Sequence, residues 1–170
     1  QPRAAKPPAR NRLRRSRFCG IIFKTTRKEE QAMAKERLVV IGGDAAGMSA
    51  AAQAKRLDKG LDVIAFEKGP HTSSGLSIPY YVGKVVDDVN KLIAVTPEEF
   101  KTEYGIDARI LHEVEEIDPK NGRVLVKCLQ SKKGWWEPFD RLLIATGALP
   151  FCPKVPGLEA VGIFGLHSLQ

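Results

Sequence analysis

The sequence predicts an α/β fold in which a parallel sheet packs against helices and carries an antiparallel β-hairpin or meander. Three observations predict it: an apolar strand running into a glycine-rich turn and an alanine-rich helix, a second apolar strand after that helix, and a late strand ending in Ala145-Thr146-Gly147.

Leu38-Val39-Val40-Ile41 is a continuous apolar run of the kind a strand buried on both faces needs. Gly42-Gly43-Asp44-Ala45-Ala46-Gly47 follows, and the helical stretch Met48 to Leu57 comes next. Gly60 ends that helix, and Leu61 to Phe66 forms the second strand, closed by Glu67. The order is that of a βαβ unit with a glycine-rich first turn, a dinucleotide-binding arrangement. Gly42 permits the tight turn and Gly47 lets the helix pack closely on the strand. The helix N-terminus presents unpaired N–H groups and a partial positive charge to a diphosphate. Glu67 lies 25 residues after Gly42, near the spacing at which an acid accepts hydrogen bonds from a ribose. The bland alternative for Glu67 is a solvated acid at a strand end. Asp44 interrupts the G-x-G-x-x-G pattern at the position where a missing side chain normally lets phosphate approach. A carboxylate ~4 Å from a phosphate costs up to ~4 kcal/mol at an effective dielectric of about 20. Asp44 is therefore expected to point away and cap the helix.

Further along, Thr96-Pro97-Glu98-Glu99 reads as a helix start, with Thr96 as cap, Pro97 at the first helical position and Glu99 completing a capping box. Asp118 to Lys127 reads as a hairpin turning at Asn121-Gly122. Trp135-Trp136 is read as hairpin packing rather than a stacking platform. Asp140 to Pro150 reads as an apolar strand that ends in Ala145-Thr146-Gly147 and then a proline that stops it, and small residues at such an end let backbone approach a ligand.

The ordering of these landmarks resembles the pyridine nucleotide-disulfide oxidoreductase superfamily, flavoproteins with two dinucleotide-binding domains. Thr72-Ser73-Ser74-Gly75-Leu76-Ser77-Ile78-Pro79-Tyr80-Tyr81-Val82-Gly83 is similar to the active-site loop of its coenzyme A-disulfide reductase and NADH oxidase group. Thr96 to Phe100 matches that group's next helix start, and His112-Glu113-Val114 resembles a segment whose backbone lies near the adenine. The resemblance covers residues 36–170 and implies the N-terminal portion of a Rossmann-like FAD-binding domain, incomplete at the C-terminus. It implies FAD held by Gly42, Gly43, Ala45, Ala46, Gly47, Glu67, Lys68, Val114, Ala145, Thr146 and Gly147, with NAD(P)H as co-substrate. The expected activity of an intact protein is hydride passage from NAD(P)H through FAD to a small-molecule acceptor such as oxygen, a quinone-like compound or a disulfide. The full-length protein is expected to be a homodimer, and this chain alone inactive.

One departure bears on that chemistry. Relatives carry a redox cysteine two positions before the apolar residue of the (Ile/Leu)-Pro-Tyr signature, and here that position is Leu76, with Ser77 beside it. Neither side chain forms a thiolate or a mixed disulfide. A true coenzyme A-disulfide reductase is thus the weaker reading within enzymes, and a non-catalytic dinucleotide-binding module is the rival from another class.

Charge separates the chain in two. Residues 1–36 hold 11 Lys/Arg and 3 Asp/Glu, whereas residues 37–170 hold 16 and 17. The net charge of +7 therefore belongs to a tail, and the nearly neutral remainder disfavours a nucleic-acid partner. Residues 1–32, rich in Pro and Arg, are expected to be disordered. A nucleic-acid arm and a transit peptide compete as readings of this tail. The reading taken is untranslated sequence: Lys28-Glu29-Glu30 requires purine-rich codons just before Met33, the expected start. Cys19, Cys128 and Cys152 follow no metal or secreted-disulfide spacing, which favours a cytoplasmic protein, and Cys128 and Cys152 are expected to be inert thiols. His71, His112 and His167 lack ligand spacing and are expected to be structural or exposed. No apolar run approaches the ~20 residues of a membrane helix.

Overall fold

A computed structural model describes residues 35–72 and 78–166, together with the backbone of residues 21–24. The elements in order are β1 (Ile21–Lys24), β2 (Arg37–Ile41), α1 (Ala45–Leu57), β3 (Asp62–Phe66), α2 (Ile78–Val82), a 3-10 turn (Val89–Leu92), α3 (Pro97–Tyr104), β4 (Ile106–Arg109), β5 (His112–Asp118), β6 (Arg123–Cys128), β7 (Gly134–Pro138) and β8 (Arg141–Ile144). They form a Rossmann-like sheet of order β1-β8-β2-β3-β4 and a separate antiparallel meander of order β5-β6-β7.

Strands β8, β2, β3 and β4 are mutually parallel. Their alternating residues separate two cores. Leu38, Val40, Val63, Ala65 and Leu143 face the helices, where Met48, Ala51 and Ala52 of α1 and Phe100 of α3 meet them. Val39, Ile41, Ile64, Phe66 and Leu142 face the meander and pack on Val124, Val126 and Phe139. Both faces are covered, which is why β2 and β3 read as continuous apolar runs rather than alternating ones. Small residues on α1 bring the helix close to the sheet, and burying a side chain such as Met48 contributes about 1.5–3 kcal/mol.

Several expectations need adjustment. Helix α1 begins at Ala45, three residues before Met48, because Ala45 and Ala46 continue the helical run. Asp44 takes the N-cap position, and its carbonyl accepts from the Met48 N–H at 3.0 Å, but its exposed side chain makes no capping hydrogen bond. The β5–β6 connection is a four-residue loop. The Asn121 N–H and side-chain amide both donate to Asp118, and Gly122 takes a φ of 61°. Within the stretch expected to be disordered, Ile21–Lys24 forms a strand antiparallel to β8, whose outer edge offers unpaired backbone groups to an apolar segment. The rest of residues 1–34, Cys19 included, lies outside the described residues. Helix α3 is as expected: Thr96 accepts from the Glu99 N–H, Glu99 accepts from the Thr96 N–H at 2.7 Å, and Gly105 closes the helix with a φ of 65°.

Candidate functional site

The chain runs from β2 to β3 on one side and returns through the meander to β8 on the other. The C-terminal ends of β2 and β8 therefore flank the point where strand order reverses, the place where parallel α/β sheets leave a crevice. Gly42 follows β2 there and Ala145 follows β8. A Cβ on Gly42 would land on the Ala145 carbonyl oxygen, and the Gly42 φ of 106° excludes other residues independently. On Gly47 a Cβ would collide with the Gly42 carbonyl. The turn thus lies against both the helix and the neighbouring strand, with the N–H groups of Ala45, Ala46 and Gly47 at the open end of α1.

Glu67 is held from both sides. One carboxylate oxygen accepts from the Gly43 N–H at 2.6 Å and the other from the Gly69 N–H at 2.7 Å. A Cβ on Gly43 would sit 2.6 Å from the Glu67 Cβ, so only glycine lets these groups meet. Each carboxylate oxygen retains acceptor capacity for a hydroxyl. Lys68 pairs with Glu113 at 2.7 Å, and both line a cavity of about 200 Å³.

Five of the residues expected at a cofactor line this cavity together: Gly42, Glu67, Lys68, Val114 and Thr146. Gly43 reaches it through Glu67. Ala45, Ala46 and Gly47 lie on the adjoining turn, and Ala145 and Gly147 on the strand end beside Thr146. Gly147 has a φ of 70° and open space around it. Leu76 and Ser77 lie outside the described residues, as does His167.

Sequence reasoning missed part of the wall. Ile41, Phe66 and His112 also line the cavity. His112, expected to be structural or exposed rather than catalytic and placed only at the start of the segment near the adenine, is packed into the wall, with its ring 6.3 Å from Phe66 and 5.6 Å from Trp135. Its Nδ1 donates to the Ile110 carbonyl at 2.6 Å, since a carbonyl only accepts. The available signal was proximity, because Phe66 directly precedes Glu67 and His112 opens the segment containing Val114. Trp135 packs inward as expected. Trp136 points outward under the Arg123 guanidinium, 4.3 Å from its ring centroid.

A charged network joins the two sheets. Arg37 donates to Asp62 and Glu137, each at 2.7 Å. Burial lowers the Arg37 pKa, but the Asp62 hydrogen bond and the charges of Asp62, Glu137 and Asp140 more than offset that and leave it raised. Cys128 sits opposite Cα-paired His112 on β6, and Ser131 holds its thiol below the usual range by hydrogen bonding. Among the described residues no helix is long and apolar enough to cross a membrane.

Comparison with known proteins agrees with this geometry. Residues 36–170 match the family model for pyridine nucleotide-disulphide oxidoreductases. The chain is 36% identical over 135 residues to coenzyme A disulfide reductase of Staphylococcus aureus, covering 79% of this chain and 30% of that protein. It is 29% identical over 136 residues to NADH oxidase of Methanocaldococcus jannaschii, again 79% of this chain and 30% of the relative. Among solved structures, a NAD-dependent persulfide reductase from A. fulgidus superposes with a TM-score of 0.71 at 35% identity, over 78% of this chain and 25% of that one. The chain thus spans less than a third of the length of these relatives.

Proposed function

Because the chain belongs to the pyridine nucleotide-disulphide oxidoreductase family, we propose that its cavity holds the adenosine and diphosphate half of FAD within a flavin-dependent NAD(P)H oxidoreductase. The observation that carries this reading is Glu67, which lines the cavity with its two oxygens oriented by the Gly43 and Gly69 N–H groups. The residues fit the group. Glu67 would accept the ribose hydroxyls, the Gly42–Gly47 turn would admit the diphosphate, and the α1 N-terminus would stabilise its charge. Exposed and uncapped, Asp44 is the misfit, and its charge would weaken diphosphate binding. Val114 and His112 would flank the base. Thr146, on the strand end packed against Gly42, would adjoin the diphosphate.

When bound, FAD would supply the transfer of hydride from NAD(P)H to an acceptor. The protein's own part here is to orient the cofactor. At about 200 Å³ the cavity falls below the roughly 300 Å³ typical of sites for drug-sized ligands, which suits it to an adenosine end alone. We expect the chain by itself to bind FAD weakly and to leave NAD(P)H unoxidised. Leu76 at the position of the family's cysteine favours oxygen or a quinone-like acceptor over a disulfide. The intact protein would work in the cytoplasm as a homodimer on a small-molecule acceptor, with no nucleic-acid or membrane partner; the near-neutral charge of residues 37–170 supports the first of these exclusions.

Calorimetric titration of the chain with FAD and with ADP tests the reading. Similar affinities for both are expected, with a loss of about tenfold or more in Glu67→Ala, equivalent to about 1.4 kcal/mol. Undiminished binding by Glu67→Ala, or tight FAD binding with rapid NADH turnover, would overturn it.

A further inference from the structure

Glu137 on β7 does not line the cavity but contacts side chains that pack against its wall. It is 8% exposed and serves three donors. One oxygen accepts from Arg37 at 2.7 Å; the other accepts from the Trp135 indole N–H at 3.0 Å and lies 3.5 Å from Arg109. Both of the latter groups reach the cavity wall. Trp135 meets His112 edge-on at 5.6 Å and 75°, and meets Phe66 at 6.4 Å and 68°. The Arg109 guanidinium stands over the Phe66 ring at 5.6 Å. The two aromatic rings of the wall are therefore each held from behind by a side chain that Glu137 engages.

Stability alone does not call for a carboxylate here. Desolvating it is costly, and well-packed apolar replacements of buried ion pairs are often neutral or stabilising. What the carboxylate adds is direction, since it fixes the rotation of an indole and the reach of two guanidinium groups.

We propose that Glu137 is a positioning residue for the nucleotide cavity: through Trp135 and Arg109 it fixes the Phe66 and His112 rings in the arrangement that receives the adenine end of the ligand. This rests on the reading of the cavity as an adenosine site. Arg37 and Arg109 keep their other carboxylate partners, Asp62 and Asp107, when Glu137 is replaced.

The experiment titrates ADP into the 170-residue chain, Glu137→Gln, Trp135→Phe and the double variant, and follows the His112 ring protons by NMR. Trp135→Phe keeps an aromatic ring while removing the indole N–H link and part of the ring, so unchanged affinity in it overturns the proposal even where Glu137→Gln fails to fold. Glu137→Gln, which leaves the indole intact, separates the link from the lost ring atoms. Each single variant is expected to weaken ADP about tenfold and to shift the His112 resonances. The double variant is expected to lose little more than one single variant, because the two residues act in one path. Affinities within about twofold of wild type in Trp135→Phe or in folded Glu137→Gln would overturn the proposal alone, as would losses that multiply to about a hundredfold. Failure of the unaltered chain to bind ADP would overturn the adenosine reading as well.

Discussion

At the scale of single residues, the glycines of the site differ in what they tolerate. Gly42 combines a φ of 106° with a Cβ position already occupied by the Ala145 carbonyl, whereas Gly147 has a φ of 70° and nothing within 4 Å. Gly147→Ala should therefore cost only the backbone term, about 1–2 kcal/mol. Gly42→Ala should cost more, about 3 kcal/mol or beyond, because β2 and β8 must also separate. Urea denaturation of the two variants would measure the difference; equal losses would show that β8 does not press on the turn. The requirement for glycine at position 42 was legible in the sequence from its place after an apolar strand. The failure of Asp44 to cap was not, since cap propensity is local and the direction of the side chain depends on what surrounds the crevice.

Among the elements, α3 is the most completely encoded in its own residues. Thr96, Pro97, Glu99 and Gly105 set its ends through contacts a few positions apart. Thr96→Ala should lower stability by about 1 kcal/mol. The Thr96 backbone N–H and then its hydroxyl hold the Glu99 carboxyl below the usual range. A depressed folded-state pKa contributes stability that is complete above the unfolded value of about 4.3 and is lost as pH falls through the folded value. Asp118, lowered chiefly by the Asn121 side chain, acts in the same direction in the β5–β6 loop. Urea midpoints taken between about pH 6 and pH 3 should therefore fall less steeply for Glu99→Gln than for wild type, by an increment that reflects Glu99 alone. A parallel pair of curves would contradict that linkage. The turn into β5 is a different case. Leu111 adopts a φ of 57°, unusual for a bulky residue, and is tied by its N–H to Gly69 and by its carbonyl to the Leu129 N–H. No propensity marks a leucine for that conformation.

Taken as a whole, the molecule is joined across its layers by Arg37. Its side chain reaches Asp62 on β3 and Glu137 on β7, and its backbone N–H donates to Asp140 before β8 at 2.8 Å. Arg37→Met would leave carboxylates facing one another between the sheets. With its side chain 34% exposed, the loss is discounted for solvent screening to about 2 kcal/mol. The urea midpoint should fall with an unchanged slope, since the same surface is exposed on unfolding. A changed slope would mean that the meander detaches in the native state and that Arg37 holds the two sheets together outright.

The sequence by itself determined the βαβ unit, the glycine turn, the acid at the end of β3, the capped helix α3 and the strand that ends at Ala145. Each of these depends on hydrophobic period, caps or turn chemistry expressed within a short window. Only the tertiary structure decided that the meander would lie across the sheet, that Phe66 and His112 would wall the cavity, and that Glu137 would link Arg37, Arg109 and Trp135. Those contacts join residues up to 100 positions apart in the chain. They exist because two apolar faces must cover each other, and no local pattern specifies which polar groups that covering brings together.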